Sequence, residues 1–366
     1  MTLVKDITHY LEQIAPLSYQ ESYDNAGLIV GNPQTEVTGV LLTLDSTEAV
    51  VEEAISKGCN LIVAHHPIVF KGLKKLNGRN YVERTIIKAI KNDIAIYAIH
   101  TNLDHVMGGV NSMIAERLQL QNVRILSPKS DTLLKLVSFV PTEVTQKVLD
   151  ALYEAGVGAI GNYDHCSFRV KGTGTFRPNE MAQPYIGSAQ KDEEVTENRI
   201  EVIFPVHLQE KVLNALKQAH PYEEVAYYIS VLQNLNQEVG AGTVGELRNA
   251  MTGDEFLTHL KDTMGLQMIR HTALVGDSIQ KVAVCGGAGS FLLNAAIGAK
   301  ADVFVTADYK YHEFFDADGR ILICDVGHYE SEVYTKELLQ RYLSKKFVNF
   351  ATILSETNTN PVFYRS

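Results

Sequence analysis

"TGVLLTLDSTEAVVEEAISKGCNLIVAHHP", residues 38–67, and "QKVAVCGGAGSFLLNAAIGAKADVFVTADY", residues 280–309, share one order of elements. Each reads as a strand, a turn, a short helix, a Gly-containing turn, a buried strand and a polar loop. Each is followed by a further strand and helix: "DIAIYAIHTNLD" and "GGVNSMIAERLQL" in the first case, "GRILICDVGHYE" and "SEVYTKELLQRYL" in the second. Strands alternating with helices predict an α/β unit. Two such units far apart predict one host domain built from two related halves.

Between the halves the pattern changes. "LLKLVSFVP" reads as a strand, and "TEVTQKVLDALYEAG" as a helix that opens at a Thr and closes at a Gly. "CSFRVKGTGTF" and "ENRIEVIFP" read as strands, "HLQEKVLNALKQAH" as a helix and "EVAYYISVLQ" as a last strand. This is the β-α-β-β-α-β order of a ferredoxin-like domain. The expected layout is therefore a first half over residues 1–129, an inserted domain over 130–236 and a second half over 237–366. The polar stretch "GSAQKDEEVTEN" inside the insert predicts a solvated surface loop.

The length of 366 residues exceeds one ordinary core and agrees with more than one domain. A net charge of −10 argues against a broad nucleic-acid surface, which needs a basic face. Cys59, Cys166, Cys285 and Cys324 are scattered, with no C-x-x-C pair, so free thiols in a reducing compartment are expected. No run approaches the roughly 20 apolar residues of a membrane span, and the N-terminus lacks the apolar centre of a signal peptide. A cytoplasmic protein is expected.

The first buried strand ends in two adjacent histidines, His65 and His66, followed by Pro67. Neighbouring side chains on a strand point to opposite faces, so both imidazoles can face one point only where the strand ends and the backbone turns. Pro67 favours that break, because it restricts His66 to extended conformations and cannot donate to a sheet ladder. In open α/β sheets, ligands bind at the carboxyl ends of strands. Two other strand ends carry matching chemistry: His100, Asp104 and His105 in one, and Asp325, His328, Glu330 and Glu332 in the other. His328 and Glu332 are four apart, so a helix puts them on one face. Nitrogen and oxygen ligands without cysteine fit Zn, Mn, Fe or Co. The five residues His65, His66, Asp104, His328 and Glu332 exceed the needs of one catalytic zinc. They suit two divalent ions bridged by a carboxylate and a water, about 3.5–4 Å apart.

"YDNAGLIVG", "AHHP", "HTNLD" and "GHYESE" together resemble the family of GTP cyclohydrolase 1 type 2 homologs, also named after a yeast Ngg-one-interacting factor. The resemblance covers both halves. It implies a three-layer α/β host domain, a toroidal homohexamer and a dinuclear metal site in each subunit. It also implies that His65, His66, Asp104, His328 and Glu332 are the ligands. Some members carry an insert similar to PII and CutA domains, and residues 130–236 resemble that version. Tyr329 stands where some relatives have a second histidine and is not counted as a ligand. The family name implies a metal-activated water that opens the purine ring of GTP, a small-molecule, nucleotide-like substrate; the acidic net charge and the lack of long apolar runs argue against a nucleic-acid or membrane partner. The alternative is a ring-shaped regulatory or scaffold protein with structural metals, whose insert senses a small ligand.

Other signals are weaker. "GAGTVG", residues 240–245, matches a dinucleotide-binding pattern but neither follows a buried strand nor opens a long helix, so a turn is expected. "CGGAGS", residues 285–290, is better placed to offer amides to a phosphate, against a reading as tight strand-to-helix packing. Lys71, Lys74, Lys75 and Arg79 follow the histidine pair and would steer an anion, or simply cover a solvated loop. Asp45, Asp308 and His312 sit in loops at strand ends. Asp45 and His312 are the candidates for acid/base work.

Overall fold

The computed structural model describes residues 1–365 and divides into two compact units. One comprises Met1–Pro128 and the chain from Gln237 onward; the other is Lys129–Asn236.

The first unit holds two sheets. The five-stranded one runs Gly27–Val30, Ala95–Ala98, Leu61–Ala64, Gly39–Thr43 and Ala351–Leu354. Its first strand is antiparallel and the rest are parallel. The six-stranded one runs Arg270–His271, Leu322–Asp325, Val303–Ala307, Ile279–Ala288, Asn236–Met251 and Gln121–Lys129. Its three central strands, Ile279–Ala288, Val303–Ala307 and Leu322–Asp325, are parallel, with an antiparallel strand against each side. The middle strands Leu61–Ala64 and Val303–Ala307 are buried at every residue. This is why both read as unbroken apolar runs: a parallel strand covered on both faces has no polar side to show.

The strand order of the two sheets matches over four positions. An antiparallel edge strand is followed by the third, second and first parallel strands of each half. Side chains close the helix starts that the sequence marks. Thr47 accepts from Val50 N–H ahead of the helix Glu48–Ser56, and Asn80 accepts from Glu83 N–H ahead of Tyr81–Lys91. No helix among the described residues is long and apolar enough to cross a membrane.

Each half also lends a strand to the other's sheet, which the order of elements in sequence does not reveal. Gln121–Lys129, from the first half, lies beside Asn236–Met251, and Ala351–Leu354, from the second, pairs parallel with Gly39–Thr43. Two further expectations are corrected here. "GAGTVG" is part of the strand Asn236–Met251 and makes no turn. A Cβ at Gly240 would lie 2.2 Å from Ser127 O, so this glycine permits close approach of two backbones. The helix expected over "SEVYTKELLQRYL" is broken, with His328–Glu332 separate from Thr335–Lys346.

The second unit has the element order strand, helix, strand, strand, helix, strand. Its antiparallel sheet runs Phe168–Phe176, Glu193–Pro205, Leu133–Pro141 and Tyr227–Leu232. The helices Thr145–Ala155 and Gln209–Ala219 share a core with one sheet face through Leu136, Val148, Leu152, Ile200, Phe204 and Leu216. The polar stretch expected to be a loop becomes strand from Glu193 onward. There the ladder to Phe168–Phe176 supplies nine residue pairs, and the buried Glu197 accepts from Tyr222 Oη at 2.8 Å. The four cysteines are free.

Candidate metal centre

The strand Leu61–Ala64 continues its ladder into the histidine pair. His65 N–H donates to Thr43 O at 3.2 Å and His66 N–H to Leu44 O at 2.9 Å. Beyond Pro67 no regular structure follows until Tyr81. Both rings turn to one side, with centroids 4.9 Å apart. Each is fixed through Nδ1: His65 Nδ1 contacts Ile99 O at 2.8 Å, and His66 Nδ1 contacts Asp45 Oδ1 at 2.8 Å. From the other sheet, His328 Nδ1 contacts Asp308 Oδ2 at 2.7 Å. A neutral imidazole that donates from Nδ1 to a carbonyl or carboxylate presents Nε2 as its lone-pair nitrogen, as a ligand must. Asp308 adopts φ +57°, a left-handed conformation that Asp tolerates better than most residues, and this turns its carboxylate back toward His328.

The Nε2 atoms meet Glu332. Its Oε2 lies 2.9 Å from His66 Nε2 and 3.1 Å from His328 Nε2, while its Oε1 lies 3.9 Å from His65 Nε2. Asp104, closing the short helix Thr101–Asp104, places Oδ1 3.6 Å from His65 Nε2. Two sets of donors share Glu332, His66–His328–Glu332 and His65–Asp104–Glu332, and a third group, His65–His66–His100, adjoins them, each with its donor atoms within 4.8 Å of one another. The five sequence-predicted ligands are thus brought together. Gly287 makes room for them, because a Cβ there would lie 2.4 Å from Glu332 Oε1. Two of the neighbouring amides are engaged: Gly286 N–H donates to Asn111 Oδ1 and Gly287 N–H to Ser331 Oγ, so these two are spent on packing beside Glu332.

Charge and burial argue that these residues fit a cation. His65 Nε2 and Asp104 Oδ1 are buried and lack a hydrogen-bond partner, although such atoms are ordinarily satisfied. Burial and the Glu332 charge push the Asp104 carboxyl well above the usual range. Burial acts the same way on Glu332, but hydrogen bonds with His328 and His66, together with the electrostatic pull of the nearby His65 ring, outweigh it and hold it well below. Burial lowers His65. It would lower His66 and His328 too, yet His66 is raised to about 10 by Asp45 and Glu332, and His328 to about 9 by Glu332 and Asp308. Two carboxylates and three imidazoles therefore compete for protons in a site that a positive ion would neutralise.

The centre opens into a cavity of about 1350 Å³, with Tyr23, Phe70, Tyr81, Phe291, Tyr329 and Tyr364 among its walls. Of the acid/base candidates, Asp45 lines the cavity but is bound to His66 and to Thr359 Oγ1, which donates to Asp45 Oδ2 at 2.6 Å. His312 is not among the lining residues. It lies in the 3-10 segment Tyr311–Ala317, its ring stacked near Phe315, because the chain turns at Asp308 and carries the segment away. Glu330 accepts from Asn360 Nδ2 and stands outside both donor sets, and Asp325 pairs with Arg270 at 3.0 Å. His105 Nδ1 contacts Tyr19 O at 2.9 Å. Lys71, Lys74, Lys75 and Arg79 form an exposed or half-buried loop next to Phe70. Two features went unread in the sequence: the reach of Asp24 to His100, and the C-terminal segment that brings Thr359 to Asp45.

The Duf34/NIF3 (NGG1p interacting factor 3) family model matches residues 2–361. The chain belongs to this family. A Bacillus subtilis protein named GTP cyclohydrolase 1 type 2 homolog is 40% identical over 364 residues, covering 98% of this chain and 97% of that one. A Halalkalibacterium halodurans protein of the same name is 39% identical over 361 residues, covering 97% of each. Among solved structures, a Bacillus cereus protein related to NIF3 superposes with a TM-score of 0.86 at 40% identity, over 100% of this chain and 99% of that one. Staphylococcus aureus protein SA1388 does so with a TM-score of 0.78 at 32% identity, again over 100% and 99%. These Duf34/NIF3 relatives support the mixed α/β fold along the whole chain.

Proposed function

We propose that this Duf34/NIF3 member is a dinuclear metal-dependent hydrolase acting on a nucleotide-like substrate. The observation that carries the reading is Glu332, whose two oxygens face two different donor sets, His66 with His328 and His65 with Asp104. Two divalent ions held there, zinc first, with manganese, iron or cobalt suited to the same donors, would lower the pKa of a shared water and polarise the bond it attacks. The protein's own residues prepare that chemistry. Asp45, Asp308 and Ile99 O fix three imidazoles in the tautomer that presents Nε2. Full burial of His65 keeps bulk water from its side of the centre. Tyr23, Phe70 and Tyr81 offer flat faces to a heterocyclic base, and the Lys71–Arg79 loop attracts an anionic substituent. The name of the relatives points to GTP as the first substrate to test, and the family resemblance to a toroidal homohexamer as the assembly. It also supports the inserted PII/CutA-like domain as a separate body.

The test is elemental analysis of protein purified without chelator, followed by a hydrolysis screen led by GTP and extended to other nucleotides and phosphoesters. About two transition-metal ions per chain and turnover abolished by a chelator are expected. Folded protein that binds no metal would overturn the reading. Two tightly held metals with no turnover of any substrate would favour a structural centre in a regulatory protein.

A further inference from the structure

His65, His66 and His328 each anchor Nδ1 on a carbonyl or carboxylate and present Nε2 to the centre. A fourth histidine is built the same way. His100, at the end of the strand Ala95–Ala98, contacts Asp24 Oδ1 through Nδ1 at 2.7 Å. The Asp24 side chain is completely buried, and its second oxygen accepts from Thr101 N–H at 3.0 Å and Thr101 Oγ1 at 2.5 Å. Asn25 N–H also donates to Oδ1 at 2.7 Å, and a carboxylate held by four hydrogen bonds fixes both the position and the tautomer of the ring. Phe70 adds an edge contact, with ring centroids 5.6 Å apart. Nε2 is left without a hydrogen bond among the described residues, on the wall of the cavity.

The neighbours of His100 decide its role. It groups with His65 and His66, the three offering ring nitrogens within 4.8 Å of one another, and its centroid is 5.4 Å from each of those rings. Of the two sets that share Glu332, one contains His65 and the other His66. A ligand that completed one set would cluster with two members of that set. His100 instead stands across one member of each, facing the space between them. His100 lines the same cavity as His66, Asp104, His328 and Glu332, so a group bound between the two sets would lie within its reach.

We propose that His100 is not a metal ligand but the residue that accepts, through Nε2, a hydrogen bond from the O–H or N–H of solvent or substrate held between the two donor sets, with Asp24 as its positioning residue. This inference rests on the dinuclear reading above.

The experiment pairs two substitutions that occupy opposite ends of the imidazole. The amide of His100→Asn reaches the Nδ1 position and keeps the Asp24 contact, while His100→Gln reaches the Nε2 position and gives that contact up. Both are loaded with Co(II), checked for metal content, and titrated with acetohydroxamate, which brings a metal-binding oxygen and an N–H donor, using the visible spectrum as readout. Both variants are expected to hold the same two ions as the parent. Acetohydroxamate should bind about tenfold more weakly to His100→Asn, the loss of one hydrogen bond to a bound group, and His100→Gln should recover most of that loss. Asp24→Asn should fall between the two. Loss of metal from His100→Asn would make His100 a ligand and overturn the proposal. So would unchanged acetohydroxamate affinity, or a defect confined to His100→Gln, which would mark a purely structural role through Asp24. A parent protein that takes up no Co(II) would overturn the dinuclear reading itself, a result distinct from any of these.

Discussion

The two sheets of the first unit bring unlike donors to one centre. The five-stranded sheet contributes His65, His66 and Asp104 from a strand end and a four-residue helix, and the His65 side chain is wholly inaccessible. The six-stranded sheet contributes His328 and Glu332 from one face of a short helix, and the His328 side chain is 40% exposed. One side is locked into backbone through Ile99 O; the other depends on a carboxylate, Asp308, at the surface. On the proposed dinuclear reading, a buried donor set, His65 with Asp104, and a more accessible one, His66 with His328, share Glu332. The ion on the buried side should exchange slowly, and the other should respond to solvent and to substitution.

The largest effect should come from breaking the join. Glu332→Gln removes a charge from both donor sets, so metal content should fall from about two ions per chain toward zero with the fold retained in circular dichroism. Glu330→Gln, two residues away and bound to Asn360, should keep both ions. Equal loss in the two variants would show that Glu332 does not join the sets.

A smaller effect should separate the two sides. Asp308→Asn and Asp45→Asn leave every ligand in place but loosen the orientation of His328 and His66. Each should weaken metal binding by about 10–100-fold, the range for such supporting carboxylates. Both losses should fall on the ion bound by His66 and His328, while the ion held by His65 and Asp104 persists. Competition with a chelator of known affinity would resolve one weakened and one unchanged ion per chain. Uniform weakening of both would dissolve the distinction between the half-sites.

The parts of this centre that the sequence exposes are those in which chemistry is written locally. "AHHP" announces its own strand end, and His328 with Glu332 follow from a four-residue spacing. The parallel strands were legible because a strand buried on both faces is apolar throughout. Contacts between distant segments were not. Nothing near Asp24 says that it will reach His100, 76 residues away, and nothing near Thr359 points to Asp45, 314 residues away. The exchange of Gln121–Lys129 and Ala351–Leu354 between the sheets was hidden for the same reason: strand pairing is a fact of register in space and leaves no mark on either strand alone. Gly287 could have been suspected, since two adjacent glycines after an apolar strand ask what sits against them.

A subtler contrast appears with pH in the metal-free protein. His66 and His328 have folded pKa values of about 10 and about 9, above the ordinary histidine range. The folded state therefore binds protons that the unfolded chain has released. Their stabilising contribution is complete below about pH 6.5 and is lost as pH rises through 9 and 10. The melting temperature of the metal-free protein should fall across that window. Glu332→Gln should reduce the fall, since this carboxylate acts on both imidazoles, alongside Asp45 on His66 and Asp308 on His328. Metal loading should abolish it, because the ions displace those protons. A melting temperature that rises over the same interval would contradict the arrangement of charges at the centre.

The least effect on the centre should come from removing the second unit. Its first and last strands pair directly, with Leu133 opposite Leu232, so the ends of the unit lie side by side. The strands that lead into and out of it, Gln121–Lys129 and Asn236–Met251, are likewise neighbours in the six-stranded sheet. A deletion from Thr132 to Asn234 closed by a short Gly/Ser linker therefore asks for no rearrangement at the junction, and the second unit keeps all its core residues to itself. All five metal-binding candidates lie outside the deleted segment, as do their partners Asp45, Asp308 and Ile99. The shortened protein should fold, hold the same number of ions as the parent and bind them within about twofold of the parental affinity, since groups that share no partners act additively and the deletion removes no candidate ligand or anchoring partner. Light scattering would show in the same preparation whether the assembly survives on the host halves alone. An insoluble product, or a folded one that has lost its metal, would mean that the two units depend on a common core and that the second is not a separate body.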